Sequence, residues 1–315
     1  MTRTLSRRLF LSMRGIGQVA LVGALLLWVF ETGRAEEVRG VVVVNSSRAV
    51  KHYVEVQDLF AKSVPVKAVI ALDGQTPESA KKQIRSINAE VIYVIGSKAY
   101  LLAQEAAEDR PVIFSSVLNW QRLPLTDRTY GVANELASGM QLMTCRYLFP
   151  AIKRIGVVYS ERFNKEWFAD AQRHADEVGI ELIGRPVESD GEQAQALAAL
   201  LPRVDALWLI SDPVVLSSRE AVSAIFDISA ARQKPVIAYS EIFARLGATL
   251  VISADIPTIV GQAASLANDL IAKQAVTQRI VDPAGSYIIL NRSKVNEYRL
   301  ELNEEALGAV NQIID

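Results

Sequence analysis

Small polar side chains stand at the ends of apolar runs throughout this chain. Their types suit recognition of a small solute better than bond-breaking chemistry. Asn45-Ser46 follows Val41-Val-Val-Val44, Gly96-Ser97 follows Val91-Ile-Tyr-Val-Ile95, and Ser115-Ser116 follows Pro111-Val-Ile-Phe114. Tyr159-Ser160, Ser211-Asp212 and Tyr239-Ser240 occupy matching places further along, and Asp255 closes the run Leu250-Val-Ile-Ser-Ala254. Hydroxyls and backbone amides at helix starts can ring a solute with donors and acceptors, and an aspartate can pair with an ammonium or accept from a hydroxyl. These residues are the candidate ligand contacts. Serines at strand-to-helix turns also serve as helix caps, and Asp212, standing before Pro213, is equally a helix-start residue. Trp120, Tyr159, Phe163, Trp167 and Tyr239 lie near the same turns, where rings either sandwich a ligand or pack together. Arg48 and Arg162 carry the fork that suits a carboxylate, and each also fits an ordinary surface role.

Groups for catalysis are missing from the pattern. No G-x-S-x-G elbow, Walker loop or G-x-G-x-x-G follows a strand. The lone Cys145 lies among Leu142, Met143 and Leu148 and reads as a core thiol. His52 and His174 have no partner at metal spacing. No catalytic residue, metal or cofactor is therefore expected. The 34 basic and 35 acidic residues balance, and no helix-turn-helix precedes the first strand, so nucleic acid is not an expected partner.

The elements that would position these turns alternate strand and helix along 315 residues, half of them hydrophobic. That is enough chain for one large domain or two smaller ones. Continuous β-branched runs such as Val41–Val44 mark parallel strands covered on both faces, and helical crossovers between them mark βαβ units. In such sheets ligands lie beyond the carboxyl ends of the strands. The layout then returns: Ile155-Gly-Val-Val-Tyr-Ser160 repeats Val41–Ser46, Ala206–Asp212 parallels Val91–Ser97, and Lys234-Pro-Val-Ile-Ala-Tyr-Ser240 parallels Arg110-Pro-Val-Ile-Phe-Ser-Ser116. The expected fold class is thus α/β, with two similar doubly wound parallel-sheet lobes joined by about three crossover strands. Candidate crossings are Arg128–Val132, Leu250–Asp255 and Ser286–Leu290. The first lobe is expected to hold residues 38–132 plus 255–284, and the second 133–254 plus 285–315.

Residues 1–35 read as a secretory signal peptide. Arg3, Arg7, Arg8 and Arg14 form a basic start, Gly15 to Phe30 is uncharged, and Gly33-Arg34-Ala35 places small residues before a cleavage site. The apolar run is shorter than the ~20 residues a span needs, which favours cleavage near Ala35 over a retained anchor.

From Tyr130 onward the chain resembles the substrate-binding proteins of ABC transporters, which have the type I periplasmic-binding fold. The resemblance rests on Tyr130-Gly-Val132 before a long helix, Leu148-Phe-Pro-Ala-Ile-Lys-Arg-Ile-Gly-Val-Val-Tyr-Ser160, Val204-Asp-Ala-Leu-Trp208, Ser211-Asp212, Lys234-Pro-Val-Ile-Ala238 and Ile288-Ile-Leu-Asn291. Residues 38–118 match its first lobe in layout. The resemblance implies an exported, periplasmic monomer that closes on a small molecule, an amino acid or a related compound, and delivers it to a membrane ABC permease. Partnership with a membrane sensor, or a secreted α/β enzyme, stand as alternatives.

Overall fold

The structure, a computed structural model, describes residues 39–315, so the signal-peptide expectation lies outside the described residues. The first stretch alternates strand and helix: β1 (Val41–Asn45), α1 (Lys51–Ser63), β2 (Val66–Ala71), α2 (Pro77–Ser86), β3 (Val91–Ile95), α3 (Ser97–Ala106), β4 (Val112–Ser115) and β5 (Thr129–Val132). The pattern repeats in α4 (Ser138–Leu148), β6 (Arg154–Tyr159), α5 (Glu161–Glu177), β7 (Glu181–Pro186), α6 (Gln193–Leu200), β8 (Ala206–Trp208), α7 (Arg219–Ala231), β9 (Val236–Ala238) and β10 (Leu250–Ala254). The chain then returns through α8 (Ile256–Ile271) and β11 (Ile280–Val281). It ends in β12 (Ser286–Asn291), α9 (Arg292–Glu297) and β13 (Gln312–Ile314).

The strands form two sheets, ordered β11-β5-β4-β3-β1-β2 and β13-β12-β10-β9-β8-β6-β7. Aligning β1 with β6 and β5 with β10 gives one shared strand order, so the repeated layout in the sequence is a repeat in topology. The chain passes between the sheets after β5, after β10 and again between β11 and β12. One pair departs from the all-parallel expectation: β12 runs antiparallel to β10. The reason is directional. β10 carries the chain out toward the first lobe, and β12 brings it back alongside.

Both faces of each sheet are covered, and that is why central strands such as β1 and β3 are apolar throughout. The four valines of β1 are each 0% exposed. Alternation sends Val42 and Val44 to the core with Ala80, Ile84 and Tyr100, and sends Val41 and Val43 to the core with Phe60 of α1 and Ile259 and Val260 of α8. Each such burial contributes about 1.5–3 kcal/mol. The second sheet lies between Leu142, Cys145 and Phe168 on one face and Leu197, Ile225 and Phe226 on the other.

Several helix starts follow from their caps. The side chains of Thr76, Ser218 and Asp255 accept from the amides of Ser79, Ala221 and Thr258. At Gly96, before α3, φ is +87°, and a Cβ there would meet the Ser46 Oγ at 2.8 Å and the Tyr53 ring at 2.9 Å. Only glycine fits both the backbone and the space. Among the described residues no helix is long and apolar enough to cross a membrane.

Candidate functional site

A cavity of about 290 Å³ lies between the two lobes, beyond the carboxyl ends of the second sheet's strands. Trp208, Ser211 and Tyr239 reach it from the ends of β8 and β9, while Phe163 and Trp167 reach it from α5. Asn119 and Arg122 approach from the loop after β4, and Glu135 from the passage after β5. Aromatic surface and convergent polar groups in one interlobe cavity are what a small organic solute requires.

The loop after β4 is held in an unusual form. Ser116 and Asn119 have φ of 56° and 53°, in the left-handed region that non-glycine residues seldom enter. Contacts across the gap offset that cost. The Asn119 backbone N–H donates to Glu135 Oε1 at 2.6 Å, and its Nδ2 donates to Ser211 Oγ at 3.0 Å. Arg122 Nη2 donates to the Phe163 carbonyl at 3.3 Å and to Asn164 Oδ1 at 3.4 Å. Its guanidinium also lies 4.6 Å from the centre of the Phe163 ring. This one loop therefore ties the first lobe to Ser211 and to the start of α5.

Asp212 supports the second-lobe wall from behind. It is 1% exposed and accepts from the Ser160 amide at 2.7 Å, Asn164 Nδ2 at 2.5 Å, and the Val214 and Val215 amides at 2.9 and 3.1 Å. Asn164 sits at a kink in α5, with φ of −132°. The aspartate's bond to that side chain joins the kink to the end of β8.

Of the charged residues that line the cavity, Glu135 is the least exposed. Burial raises its carboxyl pKa, while the amides of Asn119, Glu135 and Asn134 and then the Arg122 guanidinium oppose that rise. Burial lowers the Arg122 pKa, against the fields of Asp212 and Glu135. Tyr239 is raised by burial and further by the charge of Glu135, with its bond to Ser211 opposing. The groups that face Glu135 are thus Arg122 and Tyr239, with Glu166 and Asp170 on the same cavity wall. A carboxyl whose folded pKa is raised keeps its proton in the folded state when the unfolded chain has already lost it. Stability of the ligand-free protein then falls as pH rises from the ordinary glutamate value of 4.5 until the folded pKa is passed. Urea melts across that window are expected to show the loss for the wild type and a flatter profile for Glu135→Gln.

Two of the sequence-predicted contacts, Ser211 and Tyr239, line this cavity. The others lie elsewhere around the strand ends. In the first lobe the Asn45 amide donates to Gln57, and its oxygen accepts from the Ser47 N–H. Ser46 Oγ accepts from the Ala99 amide, and Gly96 and Ser97 start α3. Ser115 bonds the Tyr93 hydroxyl at 2.6 Å, and Ser116 bonds His52 Nε2 at 3.0 Å. In the second lobe Tyr159 stacks on Phe168 with centroids 4.5 Å apart. Ser160 precedes α5, Ser240 opens the turn Glu241–Leu246, and Asp255 caps α8. Of the aromatic candidates, Phe163 and Trp167 join Tyr239 at the cavity, while Trp120 packs near Phe114. Cys145 is buried and its pKa is pushed up to about 12, in keeping with a core thiol.

Sequence reasoning missed Asn119, Arg122, Glu135 and Trp208. A signal existed for Glu135, an acidic residue three positions past the apolar end of a crossover strand. Trp208 was hidden inside an apolar run, and the loop 116–122 has no periodicity to read.

This architecture is that of the type I periplasmic binding proteins. The chain belongs to the ABC transporter substrate binding protein family, whose model matches residues 73–314. That is a family of binding proteins and not of enzymes. A curated relative, the tyrosine-binding protein of Clostridioides difficile (strain R20291), is 23% identical over 247 residues, covering 76% of this chain and 68% of that protein. The ligand-free, open structure of a substrate-binding protein with adhesive properties from Clostridium difficile superposes with a TM-score of 0.70 at 16% identity, over 88% of this chain and 99% of that one. A domain from Streptococcus pneumonia in complex with L-Trp gives 0.59 at 18% identity, over 87% and 100%.

Proposed function

We propose that this protein is an exported receptor that closes its lobes around an amino acid and hands it to a membrane ABC permease. The observation that carries this reading is the interlobe cavity, bridged by Asn119 to Ser211 and by Arg122 to Asn164 and Phe163. Contacts of this kind form when lobes close and must break when a solute leaves. The rings of Trp167, Trp208 and Tyr239 suit an apolar or aromatic side chain, and Arg122 and Glu135 suit the charges of an amino acid. The relatives named for tyrosine and bound to L-Trp agree with that class. Residues 38–132 with 255–284 would move as one lobe and 133–254 with 285–315 as the other, hinged where the chain passes between the sheets. Residues 1–35 would serve as the export signal.

A thermal-shift screen of residues 36–315 against the common amino acids tests this. A solute at a hundred times its dissociation constant adds about 2.7 kcal/mol of stability. For a domain of this size that raises the melting temperature by roughly 5–10 °C. A flat response across all amino acids would overturn the reading.

A further inference from the structure

The loop after β4 is pinned at two strained residues, and only one of them faces the cavity. Asn119, with φ of 53°, donates through Nδ2 to Ser211 Oγ at 3.0 Å across the gap. Three residues earlier Ser116, with φ of 56°, is buried, and its hydroxyl bonds His52 Nε2 at 3.0 Å. His52 stands in the first turn of α1, and neither it nor Ser116 is among the residues that line the cavity. A non-glycine residue in the left-handed region is disfavoured and persists only where its surroundings hold it.

The bond at Ser116 needs no charge. Burial lowers the His52 pKa, with the field of Glu55 opposing, so the imidazole is uncharged at neutral pH. A neutral imidazole and a hydroxyl can each donate or accept, and either tautomer makes the bond. His52 belongs to a helix whose Val56 and Phe60 are fully buried in the first lobe's core. The bond therefore ties the start of the loop to a rigid part of its own lobe. The direction in which the chain leaves Ser116 decides whether the Asn119 side chain meets Ser211. Released from His52, Ser116 would relax toward ordinary backbone angles and carry Asn119 away from the facing lobe.

We infer that His52 is a positioning residue for solute binding: through Ser116 it aims Asn119 at Ser211, and so strengthens the closed form without touching the solute. The inference rests on the reading of this cavity as the receptor's ligand site and adds a control point outside that site.

The test is calorimetric titration of L-tyrosine and L-tryptophan into the wild type, into His52→Phe, which keeps a ring but not the bond, and into His52→Gln, whose amide can take the place of Nε2. His52→Phe is expected to bind about 5-fold more weakly, the net worth of one hydrogen bond, and His52→Gln within about 2-fold of the wild type. Ser116→Gly removes the bond from the other side and suits the left-handed backbone. It is expected to match His52→Phe, and it decides the matter if the histidine variants fail to fold. Action through Asn119 also demands coupling: in an Asn119→Gly background, His52→Phe should cost less than about 2-fold. Equal losses in both backgrounds, or unchanged affinity in His52→Phe and Ser116→Gly, would overturn the inference and leave the receptor reading intact. Failure of both amino acids to bind the wild type would count against the receptor reading instead. The positioning is then decided by amide exchange in the free protein, which over residues 116–122 is expected to run about 5-fold faster in His52→Phe. An unchanged exchange rate would overturn it.

Discussion

Asp212→Ala is expected to lower the melting temperature by about 10 °C. The residue looks at first like a ligand contact, a carboxylate at the end of a strand. In the folded chain its oxygens accept from the Ser160, Val214 and Val215 amides and from Asn164 Nδ2, and it is 1% exposed. Alanine would leave those donors buried without an acceptor. Removing one member of such a buried charged network costs about 3–5 kcal/mol. At about 2–4 °C per kcal/mol, the shift centres near 10 °C. Asp212→Asn is expected to recover part of the loss, since one amide oxygen remains to accept. Differential scanning calorimetry of the three proteins distinguishes this structural role from a purely ligand-facing one, which would leave the free protein's melting temperature nearly unchanged.

Trp208→Ala should cost a comparable 3–5 kcal/mol, the usual range for removing a buried aromatic ring. Trp208 is 2% exposed. Its Nε1 donates to Gln141 Oε1 at 3.3 Å, and its ring meets that of Trp167 edge-on at 5.1 Å. The residue joins the cavity wall to the core that holds Leu142 and Phe168. Truncation would therefore open the core toward the ligand site and strand a buried Gln141 acceptor. Urea unfolding should show a lower midpoint, and Trp208→Phe, which keeps most of the volume but not the N–H, should fall between. An unchanged midpoint for the alanine variant would contradict the packing described for this ring.

The core strands were legible because burial on both faces leaves a plain mark. Val41–Val44 and Val91–Ile95 are apolar without interruption, and both are strands in the folded chain. The edge strand β7 was not. β7 reads Glu-Leu-Ile-Gly-Arg-Pro, with Gly184 and Pro186 inside it. Its place at the rim tolerates both residues, which local propensity would exclude from a central strand. The long helix expected after Val132 begins only at Ser138, because Asn134 and Glu135 turn toward the cavity before the first turn forms. Strand ends were correctly marked by small polar residues, but many of those residues complete turns and caps. The cavity draws instead on a loop after β4 and a passage after β5, which approach it only through the arrangement of the lobes. No spacing along the chain encodes that proximity.

The weaving of the chain also has a consequence for biogenesis. α8 and β11, drawn from residues 256–281, complete the layer and edge of the sheet begun at residue 41. A nascent polypeptide that has emerged only through β5 lacks the helix that covers Val41, Val43 and Tyr93 with Ile259 and Val260. The first half lacks part of its core until the second is made. Its final docking depends on partners more than a hundred residues downstream, so assembly is governed by long-range closure and is slow by topology. Until then α1 alone covers that face, and the apolar surface left open is of the kind that favours aggregation.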